Sequence, residues 1–320
     1  MGRGQPPPVG LAVLNSRRDR RPGAGRTPFR IAKRTRNKLT AGAGPAHGAA
    51  IVPLRREWIG MSASRPDPAT FRDRFRRGET LVGSFIKTPT SHGIEILGGL
   101  GFDFVVIDEE HAPFDRAATD IGLLAARAAG TAGIVRVPSA APAAILSVLD
   151  CGALGILVPH VASADKAREI VAASRYRGGA RGFSASPRAG GYGTLKMWDH
   201  VAAGDTATTV IAMIEDPAAL DVIDEIVAVE GLDGVFIGRG DLTVALGAPT
   251  RDAPVVKDAV IRIVAAAKKA GKPVCMMVDG AAEATSFAGE GASAFIVSSD
   301  QGFLKKAAAQ ALGDFAALKR

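Results

Sequence analysis

Four residues with chemical capability each fall at the end of an apolar run. Ile214 is followed by Glu215, and Ile237-Gly238-Arg239-Gly240 leads into Asp241. Two acids carried on consecutive elements can converge on a hard divalent cation, with waters and a chelating ligand completing its shell. The competing reading makes both of them helix N-caps or first-turn acids favoured by the helix dipole. Asp216-Pro217 and Asp241-Leu242 permit that. His111 lies in Ile107-Asp-Glu-Glu-His-Ala-Pro, three residues after Asp108, while Asp150 ends a later helical stretch. Histidine is the usual general base near neutral pH, and a neighbouring carboxylate can fix its tautomer. Of the other histidines, His47 is in the N-terminal tail, and His92, His160 and His200 have no comparable cluster of acids beside them. Arg136, in Val135-Arg-Val-Pro, puts a guanidinium inside a buried-strand pattern, where it must find anions. It either pairs with a carboxylate such as Asp108 or Glu110, or donates to a developing oxyanion. Gly238 and Gly240 could present backbone amides to a carboxylate or phosphate. The segment lacks the last glycine of a dinucleotide fingerprint and the lysine of a P-loop.

These residues need elements to hold them at one place. Continuous apolar runs predict strands at Val82–Ile86, Phe104–Ile107, Gly133–Val137, Gly155–Val158, Thr209–Ile214, Gly234–Ile237, Pro273–Val278 and Ala294–Val297. Buried parallel strands read as unbroken hydrophobic runs of this kind. Helix-length segments lie between most of them, among them Asp165–Ser174, Pro217–Val229 and Pro254–Ala270. Eight βα units over residues 61–320 match an α/β protein of the (β/α)8, or TIM-barrel, type, whose usual size is roughly 250 residues. A doubly wound sheet would normally carry a Gly-rich phosphate turn after its first strand, and Val82-Gly-Ser-Phe-Ile-Lys-Thr-Pro has none. In a barrel, catalytic groups sit just beyond the strand ends at the carboxyl-terminal face. Asp108, His111, Arg136, Glu215 and Asp241 all take such positions.

The chain has 320 residues, 47% of them hydrophobic, which excludes wholesale disorder. Its two cysteines, Cys151 and Cys275, exclude a disulfide scaffold or a Cys-ligated zinc framework. No apolar run is long enough to span a membrane. The net charge of +8 is unevenly spread. Residues 1–60 hold 13 Lys and Arg against Asp19 and Glu57, whereas the rest is mildly acidic. Residues 1–60 are rich in Arg, Gly and Pro without periodicity, and are expected to be a disordered basic leader. Three readings stand for it: a dispensable extension before a true start at Met61, a targeting peptide, or a basic arm for RNA or a membrane surface. The barrel itself is not expected to bind nucleic acid or membrane.

Taken together, the segments from about Leu81 onward resemble the metal-dependent (class II) pyruvate aldolases of the HpcH/HpaI aldolase/citrate lyase superfamily. The resemblance rests on Gly101-Phe-Asp-Phe-Val-Val-Ile-Asp-Glu-Glu-His-Ala-Pro, Val135-Arg-Val-Pro, Leu149-Asp-Cys-Gly, Leu157-Val-Pro, Arg175-Tyr with Arg181-Gly, Ile214-Glu, and Gly231-Leu-Asp-Gly-Val-Phe-Ile-Gly followed by Asp241-Leu. It implies an aldehyde-lyase that cleaves a 4-hydroxy-2-oxo acid to pyruvate and an aldehyde. A divalent cation (Mg2+, Mn2+ or Co2+) held by Glu215 and Asp241 would stabilise the pyruvate enolate. The resemblance makes His111 the base, paired with Asp150 and supported by Asp108. It places Arg136 at the oxygen that becomes the enolate, and the backbone of Gly238–Gly240 at the substrate carboxylate. It also implies a homo-oligomer, often a hexamer, with the helix at Gly302–Leu318 packing on a neighbour; localisation rests on the basic tail, and a bacterial-type cytoplasm is expected.

The sequence departs from that family in three places. Gly238-Arg239-Gly240-Asp241 stands where Gly-Pro-Ala-Asp or Gly-Pro-Ser-Asp is usual, so Arg239 is expected to add a cation near the carboxylate pocket and favour a larger or more anionic acid. Met213 replaces a common Gln, and Phe85 a common Trp. Lys87, at a strand end, is at most a contact for substrate charge. Arg188 and Tyr192, in a loop read as part of the rim, are candidates for contacting the aldehyde fragment. The alternatives are a citryl- or malyl-coenzyme A lyase, and an RNA- or membrane-binding protein acting through its basic arm on an inactive barrel.

Overall fold

The computed structural model describes residues 66–319. The basic leader and the proposed start at Met61 lie outside these residues. The described chain begins with helix α1 (Phe71–Arg76) and continues as eight strands, each followed by helical structure. These are β1 (Leu81–Ile86), α2 (Ser91–Leu100), β2 (Phe104–Asp108), α3 (Arg116–Ala129), β3 (Ala132–Arg136), α4 (Pro142–Asp150), β4 (Gly155–Val158), α5 (Ala164–Ser174) and α6 (Met197–Ala207). There follow β5 (Thr209–Ile214), α7 (Pro217–Asp221), α8 (Ile223–Val227), β6 (Gly234–Ile237), α9 (Arg239–Ala245), α10 (Pro254–Lys269), β7 (Val274–Val278), α11 (Ala281–Glu290), β8 (Ala292–Ser299) and α12 (Asp300–Asp314). All pairings are parallel, and β8 returns to β1, so the sheet closes into the expected (β/α)8 barrel. The segment read as one helix over Pro217–Val229 is two helices, broken where Val222 leaves helical geometry.

Alternation along each strand sorts the apolar residues into two layers. Val105, Ile107, Val135, Ile156, Val210, Ala212, Ile214, Val235 and Ile237 face the helices. Phe104, Val106, Ile134, Leu157, Ile211, Met213, Phe236 and Cys275 fill the barrel interior. Phe71 and Phe75 of α1 close its amino-terminal end, with the Phe71 ring tilted against Phe104 at 5.3 Å between centroids. Gly234 makes room for this plug, because a Cβ there would fall 2.6 Å from the Phe75 ring.

The same two-residue step, continued past the apolar layers, determines what reaches the carboxyl-terminal end. Phe104 and Val106 are followed by Asp108, Ile134 by Arg136, Ile211 and Met213 by Glu215, and Phe236 by Gly238. Asp108 and Arg136 are direct partners in the β2–β3 register. Met213 is paired with Phe236, which puts Glu215 beside Gly238. Phe85 is paired with Val106, which puts Lys87 beside Asp108.

Candidate active site

Arg136 and Asp108 form the floor of the site. Both are buried. The guanidinium meets the carboxylate edge-on, Nε donating to Oδ1 at 2.8 Å and Nη2 to Oδ2 at 2.6 Å. Its flat face lies 4.7 Å from the centre of the Phe85 ring, and Lys87 Nζ reaches Asp108 Oδ2 at 3.1 Å. Burial alone would raise the Asp108 carboxyl, but the Arg136 fork outweighs it and holds the group below its usual range. Asp108 Oδ1 also accepts the backbone N–H groups of Glu110 and His111, at 3.3 and 3.1 Å. This fixes the turn after β2 and directs its side chains alternately outward and inward. Glu109 turns out and accepts the Thr119 hydroxyl at 2.6 Å. Glu110 turns in, its Oε2 buried 3.3 Å from Arg136 Nε without hydrogen-bond geometry. His111 stands at the mouth, half exposed, with Nε2 3.7 Å from Glu110 Oε2.

Across the barrel, Glu215 is buried at the end of β5. Burial is the main force raising its carboxyl to about 7, and the opposing carboxyl of Asp241, in the first turn of α9, pushes the same way. His160 works against both, since its N–H donates to Glu215 Oε1 at 2.8 Å. Glu215 and Asp241 offer two hard oxygen donors, a donor set that suits a divalent cation whose other positions are taken by water and substrate. Among the described residues, no cluster of three or more His, Cys, Asp or Glu could hold a metal ion. Gly238 is required here for space. A Cβ on it would lie 2.7 Å from Glu215 Cβ and 2.8 Å from Oε2. Its φ of −81° suits alanine, so the clash alone decides the outcome. Gly238→Ala is expected to lower turnover at least about 10-fold and to weaken Mn2+ binding, both read against a folded control.

The structure thus brings together Asp108, His111, Arg136, Glu215, Gly238 and Asp241. It does not bring Asp150 to them within the chain. Helix α4 runs back from the carboxyl-terminal rim, so Asp150, its last residue, lies at the opposite end of the barrel, with Oδ1 3.6 Å from Arg181 Nη2. Asp108 meets His111 through the backbone, not the ring. The side chain of Arg239 turns away from the expected carboxylate pocket and is paired with Glu283 at 2.7 Å. Gly240, in the first turn of α9, has open space where a Cβ would stand. Arg188 and Tyr192 belong to a loop that leaves α5 at the amino-terminal end. Arg188 is pinned there to Asp120 at 2.7 Å and to the Cys151 carbonyl at 3.1 Å.

His160, set aside on sequence grounds, belongs to the site. Its backbone is left-handed, with φ 55°. Its ring lies 3.2 Å from Asp216, 3.4 Å from Glu215 and 3.9 Å from Glu110. Partial burial pulls its pKa down, but these carboxylates outweigh it and raise the pKa above the usual value. The available signal was its place two residues beyond β4, on the same rim as the other groups.

A closed parallel barrel with acids, a buried arginine and histidines at its carboxyl-terminal mouth defines a (β/α)8 enzyme. The family model described as HpcH/HpaI aldolase/citrate lyase matches residues 81–307, and the chain belongs to that family. It is a carbon–carbon lyase of the aldolase type. Among curated relatives, the 5-keto-4-deoxy-D-glucarate aldolase of Klebsiella pneumoniae subsp. pneumoniae is 35% identical over 247 residues, which cover 75% of this chain and 96% of that one. The enzyme of the same name from Salmonella paratyphi A is 35% identical over 249 residues, covering 77% and 96%. Among solved structures, an HpcH/HpaI aldolase/citrate lyase family protein from Burkholderia cenocepacia superposes with a TM-score of 0.74 at 30% identity, covering 77% of this chain and 98% of that one. Citrate synthase SbnG does so with a TM-score of 0.70 at 31% identity, covering 77% and 97%.

Proposed function

We propose that this protein cleaves a 4-hydroxy-2-oxo acid, of the acidic sugar-acid type named for its relatives, into pyruvate and an aldehyde, using a divalent cation held by Glu215 and Asp241. The observation that carries this reading is the placement of that carboxylate pair across the barrel mouth from a buried arginine. Bound there, the cation would act as a Lewis acid toward the negative charge that develops as the carbon–carbon bond breaks. Asp108 takes Nε and Nη2 of Arg136, which leaves Nη1 as the edge that can donate to the substrate's 2-oxo oxygen. His111 takes the 4-hydroxyl proton, directly or through a water, and Glu110 at 3.7 Å favours the imidazolium that results. The Gly238 N–H is taken by the Ile214 carbonyl at 3.0 Å, so within Gly238–Gly240 the amides of Arg239 and Gly240, at the start of α9, would receive the substrate carboxylate.

Mg2+, Mn2+ and Co2+ all suit this donor set. Both cysteines are free and buried, in keeping with a reducing cytoplasm. No helix among the described residues is long and apolar enough to cross a membrane. Helix α12 buries none of its residues, and Leu304 and Leu312 stand exposed on it, which supports assembly into a homo-oligomer such as a hexamer.

The reading is tested by pyruvate release from a panel of 4-hydroxy-2-oxo acids, with each metal and after EDTA. Release should require metal and fall about 100-fold in His111→Ala. Metal-independent release would sink the metal assignment. Turnover of coenzyme A thioesters alone would favour a citryl- or malyl-coenzyme A lyase.

A further inference from the structure

Helix α9 carries Asp241, yet it is only seven residues long and buries just two side chains, Arg239 and Leu242. The turn leading into it is held in the backbone by Gly238 N–H to the Ile214 carbonyl and Leu242 N–H to the Gly238 carbonyl, both at 3.0 Å. Gly238 must stay small because of Glu215, and Gly240 touches nothing through a side chain. Asp241 faces Glu215 across the mouth, so the separation of the two carboxyls depends on where the turn is held. Arg239 is the buried side chain that reaches out from this turn to neighbouring elements.

Arg239 is 6% exposed. Its Nη2 donates to the Met277 carbonyl at 2.9 Å, its Nη1 meets Glu283 Oε1 at 2.7 Å, and its plane lies 4.8 Å from the centre of the Phe287 ring. The second oxygen of Glu283 accepts the Asp279 N–H at 2.7 Å, so the anchor is itself anchored. Within the turn, the Thr243 hydroxyl donates to the Arg239 carbonyl at 2.6 Å. These contacts fasten the start of α9 to the end of β7 and to α11, two elements that carry no group of the site. A planar, five-donor guanidinium can bind a carbonyl, a carboxylate and a ring face at once.

We propose that Arg239 is a positioning residue whose tether to Glu283 and the Met277 carbonyl fixes Asp241 and thereby sets affinity for the divalent cation. This rests on the reading of Glu215 and Asp241 as the cation's ligands. It replaces the sequence expectation that Arg239 supplies charge to the substrate.

The experiment is titration of the metal-free full chain with Mn2+, read by calorimetry and by the electron paramagnetic resonance of free Mn2+. Arg239→Ala should weaken binding about 10-fold or more, within the range found for outer-shell partners of metal ligands. Arg239→Lys should recover part of this, and Glu283→Gln should lose less than Arg239→Ala. Arg239→Ala/Glu283→Ala should bind no more weakly than Arg239→Ala alone, because one tether can be cut only once. Thermal unfolding in EDTA identifies any variant that fails to fold. If Arg239→Ala is among them, Arg239→Lys and Glu283→Gln carry the test. Unaltered Mn2+ affinity in the folded variants overturns the tether. Absence of Mn2+ binding in the unsubstituted protein, or its persistence in Asp241→Asn, overturns the metal reading and the tether with it.

Discussion

Glu215→Gln is expected to abolish metal-dependent pyruvate release, by at least about 1,000-fold, and at the same time to stabilise the metal-free protein at pH 8. The first effect follows from removing one of the two carboxylates proposed to hold the cation, so that both its affinity and its charge stabilisation are lost. The second follows from linkage. Glu215 has its carboxyl raised from 4.5 to about 7 in the fold, chiefly by burial. Between those values the folded state holds a proton that the unfolded state releases, so stability falls as pH rises through the window. The shift corresponds to at most about 3 kcal/mol, and water at the open mouth lowers this to about 1–2 kcal/mol. A neutral amide escapes that cost. Urea unfolding in EDTA at pH 5 and pH 8 should therefore separate the two proteins only at the higher pH. Mn2+ should stabilise the unsubstituted chain and leave the variant unmoved. A variant that is less stable than its parent at pH 8 without metal would show that Glu215 is held by contacts outweighing its burial.

Much of the barrel was legible because buried parallel strands leave unbroken apolar runs. Three of the eight strands, β4, β5 and β6, have the ends that the runs predict. The polar rim was legible for the same reason, since a charged residue closing such a run has nowhere to go but the end of the barrel. The ion pair of Arg136 with Asp108 was one of two readings for that arginine, and strand register makes it a direct neighbour. His160 could not be read this way. Its acids arrive from the ends of β2 and β5, far away in sequence, and nothing in a Val-Pro-His stretch signals a left-handed backbone. The direction of Arg239 was hidden too, because its partners lie in β7 and α11. Asp150 is different. A helix following a strand must return to the amino-terminal rim, so the topology alone separates the last residue of α4 from a histidine after β2.

Arg136→Met should cost about 1,000-fold in turnover and about 3 kcal/mol in stability, two effects with different causes that can be pulled apart. The stability loss arises because fully buried Asp108 would keep only Lys87 and two backbone N–H groups as partners, and an incompletely paired buried carboxylate is strongly destabilising. The activity loss arises because Nη1 no longer meets charge developing on the substrate's oxo oxygen. Asp108→Asn in the same chain removes the orphaned charge, yet its side-chain oxygen can still accept the N–H groups of Glu110 and His111. Arg136→Met/Asp108→Asn should therefore regain most of the stability, to within about 1 kcal/mol of the parent, and none of the turnover. Arg136→Lys keeps the charge without the fork and should fall between. Denaturant unfolding and pyruvate release on the same preparations measure both quantities. Recovery of turnover together with stability in the double variant would reduce Arg136 to a structural partner of Asp108. Recovery of stability alone assigns its guanidinium to the reaction, because the turn, the ring beneath it and the metal ligands opposite are then all in place.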